Sequence, residues 1–276
     1  MLMRFIPIVL LLVFCLTIPA HATYTIIWVS EITDLDNNGI MDDQGWVDLL
    51  TAQGYSVDVQ RNYWQTLDND KINALNSADL IIVSPAVNSA NYNNDDEPTQ
   101  WNSITTAMIL SNTSLATTNG WSWIDSASVI NDIGAPLMDI VNGSHPIFKN
   151  LLLDVLDETV GSGNTAFINT TDAGNGTLIA TAAGFNAAWI VEWQQAVEYF
   201  DGSGQYAGGP RLFFVAGTGQ SEGTPGGEMN LTQQGQVIYL GAVAYMIPEP
   251  ATIVLLALGG LMLRSAFRVS RHATRL

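Results

Sequence analysis

Oxygen-bearing side chains near the amino end have the spacing of a loop that binds a calcium ion. They alternate along the chain with a glycine at the sixth place, and the residues concerned are Asp34, Asp36, Asn38, Gly39, Asp42 and Asp43. Calcium prefers several hard oxygen ligands around a tight bend, and glycine permits that bend. Gly45 occupies the twelfth place, where a carboxylate normally closes the site, so Asp42 or Asp43 would have to supply that ligand. The pattern predicts a calcium site, with a solvated acidic turn as the alternative.

A second candidate for chemistry is His145, the only histidine between residues 23 and 247. An imidazole can act as an acid or a base near neutral pH, with a carboxylate as its partner. Asp125, Asp139 and Glu192 could approach a cleft, but no spacing selects one of them. The alternative is a structural histidine that caps a loop through hydrogen bonds to the backbone.

Two tryptophans form the third candidate. Trp121 and Trp123 follow Gly120 in an expected loop, so we predict that they contact a ligand by stacking on a sugar ring at the carboxyl ends of strands. Filling of the core is the alternative for both. A cysteine nucleophile is not expected, because the single cysteine, Cys15, lies in an amino-terminal apolar stretch.

The elements that must position these residues alternate between strand and helix in the first half of the chain. Apolar or alternating runs predict strands at residues 25–30, 55–60, 79–84 and 106–110. Helices are predicted between them at residues 46–53, 68–77 and 98–104. Crossover helices imply a parallel sheet covered on both faces. The second half is richer in strands, which are predicted at residues 137–141, 166–169, 178–181, 188–193 and 211–216, before a closing helix at 231–246.

Several of these segments resemble the class I glutamine amidotransferase-like superfamily, and especially its trehalose-utilisation branch. They are IIWVS, DLLTAQGYSVDV, ADLIIVSP, the His145-Pro146-Ile147-Phe148 turn and LTQQGQVIYLGAVAYM. The resemblance implies an α/β, flavodoxin-like parallel-sheet sandwich over residues 23–246. Members that release ammonia from glutamine use a cysteine after a strand, so the lack of one makes that activity unexpected. The trehalose-utilisation branch implies a sugar-active enzyme using His145 and a carboxylate as an alternative function.

Both ends of the chain have patterns typical of an exported protein. Residues 1–22 combine Arg4, an apolar stretch and a small-x-small end, which predicts a signal peptide cleaved after Ala22. Near the other end, Pro248, Glu249 and Pro250 precede an apolar run at residues 251–263. This run predicts a C-terminal transmembrane helix with a cytoplasmic basic flank. The flank consists of Arg264, Arg268, Arg271 and Arg275.

The order of Pro-Glu-Pro, apolar run and basic tail over residues 247–276 resembles the PEP-CTERM sorting signal. The resemblance implies processing by exosortase, a single-pass intermediate in the inner membrane, a final place at the cell surface or outside the cell, and association with exopolysaccharide. An ordinary tail anchor is the alternative. The chain has 26 Asp and Glu against 9 Lys and Arg, a net charge of −17. Such a surface repels nucleic acid, so no nucleic-acid partner is expected, and the sequence favours a non-catalytic surface or matrix protein.

Overall fold

Short strands separated by helices build the first half of the domain, as predicted. The computed structural model describes residues 24–134, 136–151, 164–219 and 226–247. The strands here are β1 (Thr25–Val29), β2 (Ser56–Val59), β3 (Leu80–Val83) and β4 (Met108–Leu110). The helices are α1 (Gln44–Ala52), α2 (Asn69–Ser77), α3 (Glu97–Ser103) and the short α4 (Thr113–Ala116). Asp68 caps α2 by accepting a hydrogen bond from the Lys71 amide at 2.9 Å.

The second half supplies six strands and one helix among the described residues. The strands are β5 (Val129–Gly134), β6 (Met138–Ile140), β7 (Asn164–Ile168), β8 (Thr177–Ala182), β9 (Ala188–Trp193) and β10 (Arg211–Phe214), and the helix is α5 (Gln233–Met246). Thr232 caps α5. The middle of α5 packs closely on the turn Pro146–Phe148, since a Cβ on Gly241 would lie 2.3 Å from the Ile147 carbonyl oxygen.

The ten strands described form one mixed sheet, which corrects the prediction of a parallel sheet. The order is β2-β1-β3-β4-β10-β9-β7-β5, with β8 pairing to both β6 and β9. Strands β2, β1, β3, β4 and β10 are mutually parallel, but β9 runs antiparallel to β10 and to β8. The cause is local: residues 183–187 connect β8 to β9 and are too few for a crossover, which needs about a dozen residues.

The predicted C-terminal transmembrane helix requires a second correction to the expected fold. No helix in the described part of the chain is long and apolar enough to cross a membrane. The segments that carried the sorting predictions lie outside the described residues. They are the signal peptide at 1–22, the motif Pro248, Glu249 and Pro250, the apolar run at 251–263, and Arg264, Arg268 and Arg271.

Candidate functional site

Polar side chains gather where the parallel strands end, because parallel strands bring their carboxyl ends to the same edge of a sheet. Ser30 and Glu31 follow β1, Ser84 follows β3, and Ser111 and Asn112 follow β4. Ala216 to Gly219 follow β10 at the same edge. We refer to this edge as the carboxyl edge.

Asp43 ties the start of α1 to the carboxyl edge. Its side chain is fully buried, and its Oδ2 atom accepts hydrogen bonds from Trp28 Nε1 at 2.7 Å, from Ser84 Oγ at 2.9 Å and from the Ser30 hydroxyl. Its Oδ1 atom accepts from the Arg61 guanidinium at 2.8 Å, in an ion pair whose carboxylate is fully buried and whose guanidinium is 15% exposed. Both carboxylate oxygens are therefore engaged by protein donors, and Asp43 acts as a structural anchor in this arrangement.

A cavity of about 500 Å³ opens at the carboxyl edge. Its wall is rich in polar side chains, which include Glu31, Asp42, Asn88, Ser111, Asn112, Thr113 and Asn131. None of the described residues that line it is Lys, Arg or His. The cavity therefore offers amide and hydroxyl groups and negative charge to a ligand.

Several of the wall residues are held in place by their own hydrogen bonds. Asn112 donates to the Val87 carbonyl oxygen at 2.8 Å and accepts from the Leu115 amide at 3.0 Å. The Glu31 carboxylate accepts from the Asn91 side-chain amide at 3.0 Å. The Asn112 and Glu31 side chains at the wall are therefore fixed by contacts within the protein.

The acidic loop predicted to bind calcium lies at the rim of this cavity. One carboxylate oxygen from each of Asp34, Asp36 and Asp42 lies within 4.8 Å of the others. Asn38 lies in the same loop. Its side-chain Nδ2 donates to Asp36 Oδ2 at 2.8 Å, and its Oδ1 accepts from the Ile40 backbone amide at 2.7 Å. The structure brings three of the five predicted ligands together and places Asp43 in the separate buried network.

Mutual repulsion and burial affect the carboxylates of this loop. Burial is the main cause that raises the pKa of Asp42, and the charges of Asp36, Asp34 and Asp43 raise it further. The hydrogen bond from the Leu35 amide acts in the opposite direction and lowers it. The pKa of Glu228 is also raised, first by burial and then by the charges of Asp36 and Asp42. Glu228, in the segment that precedes α5, therefore adds a negative charge near the loop, although its carboxylate is not among the three that lie within 4.8 Å of one another.

His145 lies at the opposite edge of the sheet from the cavity. Its Nε2 is 3.3 Å from Glu192 Oε2, and its Nδ1 accepts from the Ile147 amide at 3.4 Å. Tyr245 donates to Glu192 Oε1 at 2.7 Å, and burial followed by this carboxylate raises the pKa of Tyr245 to about 12. His145 and Glu192 are 8% and 7% exposed, so the pair meets solvent only slightly.

Trp121 and Trp123 lie in the aromatic core. Both are fully buried, and neither lines the cavity. The Trp121 indole donates to the Tyr92 carbonyl oxygen at 2.8 Å and stacks on Trp101, with ring centroids 5.0 Å apart. The Trp123 indole donates to Asn102 Oδ1 at 2.7 Å. Neither ring offers a face to a ligand in this arrangement.

Sequence reasoning did not select Glu31, Ser111, Asn131 or Glu228. Ser111 directly follows the buried strand β4, and Glu31 lies two residues after β1, so a position just beyond a strand was the available signal. Asn131 lies in β5, which had no clear apolar alternation. Glu228 approaches the loop through tertiary folding alone, so no local pattern could identify it.

Comparison with solved structures finds two ThuA-like proteins and one glutaminase domain that are similar to this chain. A ThuA-like protein from Bacteroides uniformis has 10% identity and a TM-score of 0.45, covering 83% of this chain and 93% of its own. A ThuA-like protein from Parabacteroides merdae has 12% identity and a TM-score of 0.44, covering 83% and 92%. The CTPS glutaminase domain of Trypanosoma brucei, with bound acivicin, has 14% identity and a TM-score of 0.45, covering 83% and 96%. No family model and no curated protein matches the chain. Similarities this weak assign neither a family nor an activity.

Proposed function

We propose that this domain binds a neutral, hydroxyl-rich ligand, a segment of carbohydrate, in the cavity at the carboxyl edge, without covalent chemistry. The chemistry of the cavity wall is the observation that carries the proposal. Glu31 and Asp42 repel anions, and no cationic side chain stands among the described lining residues. Sugar hydroxyl groups can donate to carboxylates and accept from amides, so they suit this wall.

The ends of the chain support a place outside the cytoplasm for this binding. A signal peptide at residues 1–22 and a PEP-CTERM signal at residues 247–276 would give an exported protein that exosortase processes. An exported carbohydrate-binding domain would then meet exopolysaccharide at the cell surface or in the surrounding matrix.

Blocking the cavity tests the binding site. Asn131 is an exposed residue of the cavity wall, so Asn131→Trp adds bulk there with little disturbance of the core. The matched control is Asn73→Trp on α2, where the asparagine is exposed and does not line the cavity. Calorimetric titration with neutral exopolysaccharide fragments should give binding to the wild type and the control, and at least a tenfold loss for Asn131→Trp. Equal binding by both variants, or preferred binding of uronate-rich fragments, would contradict the proposal.

Processing needs a separate experiment. Mass spectrometry of the cell-surface protein should show a carboxyl terminus near residue 248 for the wild type and an unprocessed terminus when Pro248, Glu249 and Pro250 are replaced by alanine. Identical termini from both chains would remove exosortase processing while leaving the ligand proposal intact.

The contact between His145 and Glu192 favours a second candidate, a sugar-active enzyme that uses this pair for proton transfer. The pair is almost buried, so a substrate would have to open the opposite edge of the sheet. Release of reducing ends from oligosaccharides by the wild type, lost in His145→Gln with an unchanged circular dichroism spectrum, would support the enzyme. If the wild type releases no reducing ends, the enzyme candidate is rejected and carbohydrate binding remains the proposed function.

A further inference from the structure

The acidic loop concentrates negative charge on one short segment of the described chain. Asp34, Asp36 and Asp42 bring carboxylate oxygens within 4.8 Å of one another, and their charges, with that of Glu228, influence one another. The described structure records two ion pairs, and neither involves these four residues. An acidic cluster alone is a common surface feature, so a ligand must be argued from something more.

Asp42 supplies that second observation. The residue is only 7% exposed, and its Oδ2 atom is shielded from solvent yet accepts no hydrogen bond. A buried carboxylate oxygen without a partner is costly, and such atoms usually receive a donor or a metal ion. The other oxygen, Oδ1, accepts from the Leu35 amide at 3.2 Å, which fixes the carboxylate in the loop.

The backbone holds the other carboxylates in a convergent arrangement. Gly39 has a φ of +84°, a left-handed conformation that turns the chain back on itself. Asp34 accepts from the amides of Asn38 and Gly39, each at 3.0 Å, and Asp36 accepts from the Asn38 amide at 3.2 Å. The conformation of the loop is therefore fixed by hydrogen bonds within the loop itself.

We propose that Asp34, Asp36 and Asp42 bind one calcium ion at the rim of the cavity. Calcium fits because it takes six to eight oxygen ligands in flexible geometry and accepts both carboxylates and water. Asp43 is not a ligand in this proposal, because Trp28, Ser84 and Arg61 occupy its oxygens. Asp42 also lines the cavity, so the two proposals share this residue, but thermal unfolding tests calcium binding without any carbohydrate present.

Thermal unfolding of the purified full-length chain at pH 7 tests the site, with 10 mM calcium chloride compared with chelator at equal ionic strength. A dissociation constant of about 0.1 mM would raise the Tm by about 5 to 10 °C. Asp42→Asn should abolish this shift and should not lower the Tm measured in chelator, because it removes a repelled charge and keeps an acceptor for the Leu35 amide. Glu228→Gln should reduce the shift to a smaller degree.

Asp139→Asn is the matched control, since Asp139 is exposed on β6 and lies outside the cluster; it should keep the full shift. Asp36→Asn provides a second test on an exposed residue if Asp42→Asn does not fold, and it should weaken the calcium response at least tenfold in concentration. The proposal is overturned if calcium acts no more strongly than sodium chloride at equal ionic strength. It is also overturned if magnesium gives the larger shift, or if the cluster variants respond like the wild type.

Discussion

Replacing Asp43 by alanine should destabilise the domain more than any change on the exposed side of α1. The substitution removes the acceptor for Trp28, Ser30 and Ser84 and leaves Arg61 without its buried partner. Removing one member of a fully buried ion pair costs about 3 to 5 kcal/mol. Arg61 is 15% exposed, which lowers this cost, but the same substitution also leaves three further donors without their acceptor. We therefore expect a loss of about 4 kcal/mol in the free energy of unfolding, a large part of the roughly 5 to 15 kcal/mol that a domain possesses.

Urea unfolding followed by tryptophan fluorescence measures this loss as a lower midpoint with an unchanged slope. Ser84→Ala removes one donor of the network and should cost about 1 kcal/mol. Asp48→Ala, on the exposed face of the same helix, is the control and should change stability by less than about 0.5 kcal/mol. A loss below about 1 kcal/mol for Asp43→Ala would refute the anchoring role.

Three further predictions concern titration, a buried cation and the aromatic core. In chelator, Asp42→Asn should be more stable than the wild type at pH 7, and this difference should shrink as the pH falls towards about 4. The pKa of Asp42 is raised in the native state, so on acidification the native wild type binds a proton at this residue before the unfolded chain does. Acidification through this range therefore raises the stability of the wild type relative to the variant. A difference that grows on acidification would contradict this sign. Arg211 is fully buried and donates to the carbonyl oxygens of Thr106, Asn102 and Ile104, so Arg211→Lys should lower the free energy of unfolding by about 2 to 4 kcal/mol in urea, since lysine lacks the planar fork. All eight tryptophans are less than 2% exposed, so iodide should barely quench the native fluorescence, and quenching close to that of free indole would contradict the packing.

The first half of the fold could be predicted because its sequence signals are local. β-branched runs such as that of β3, and the capping residue Asp68, each specify a short element without help from distant residues. The direction of strands β5 to β9 could not be predicted in this way. It depends on short connections and on pairing partners far apart in sequence, as in the antiparallel pair of β9 and β10.

The candidate site was only partly predictable for the same reason. The bend at Gly39 and the convergence of Asp34, Asp36 and Asp42 follow from spacing within one loop. Glu228 adds its charge near them only after the chain has folded. For Trp121 and Trp123 the local sequence could not decide the environment, because a glycine-flanked aromatic pair in a loop looks the same whether it faces a ligand or the core. In this fold both indoles lie in the core, where they donate hydrogen bonds to Tyr92 and Asn102.

Hydrogen exchange followed by mass spectrometry tests the location of the ligand site most directly. The full-length chain is compared with and without saturating neutral exopolysaccharide fragments. We predict slower exchange at residues 85–89, 111–114 and 216–219, the segments that line the cavity, with little change around His145 and Glu192. No protection of these segments at saturation, or protection confined to the opposite edge of the sheet, would contradict the proposed binding site.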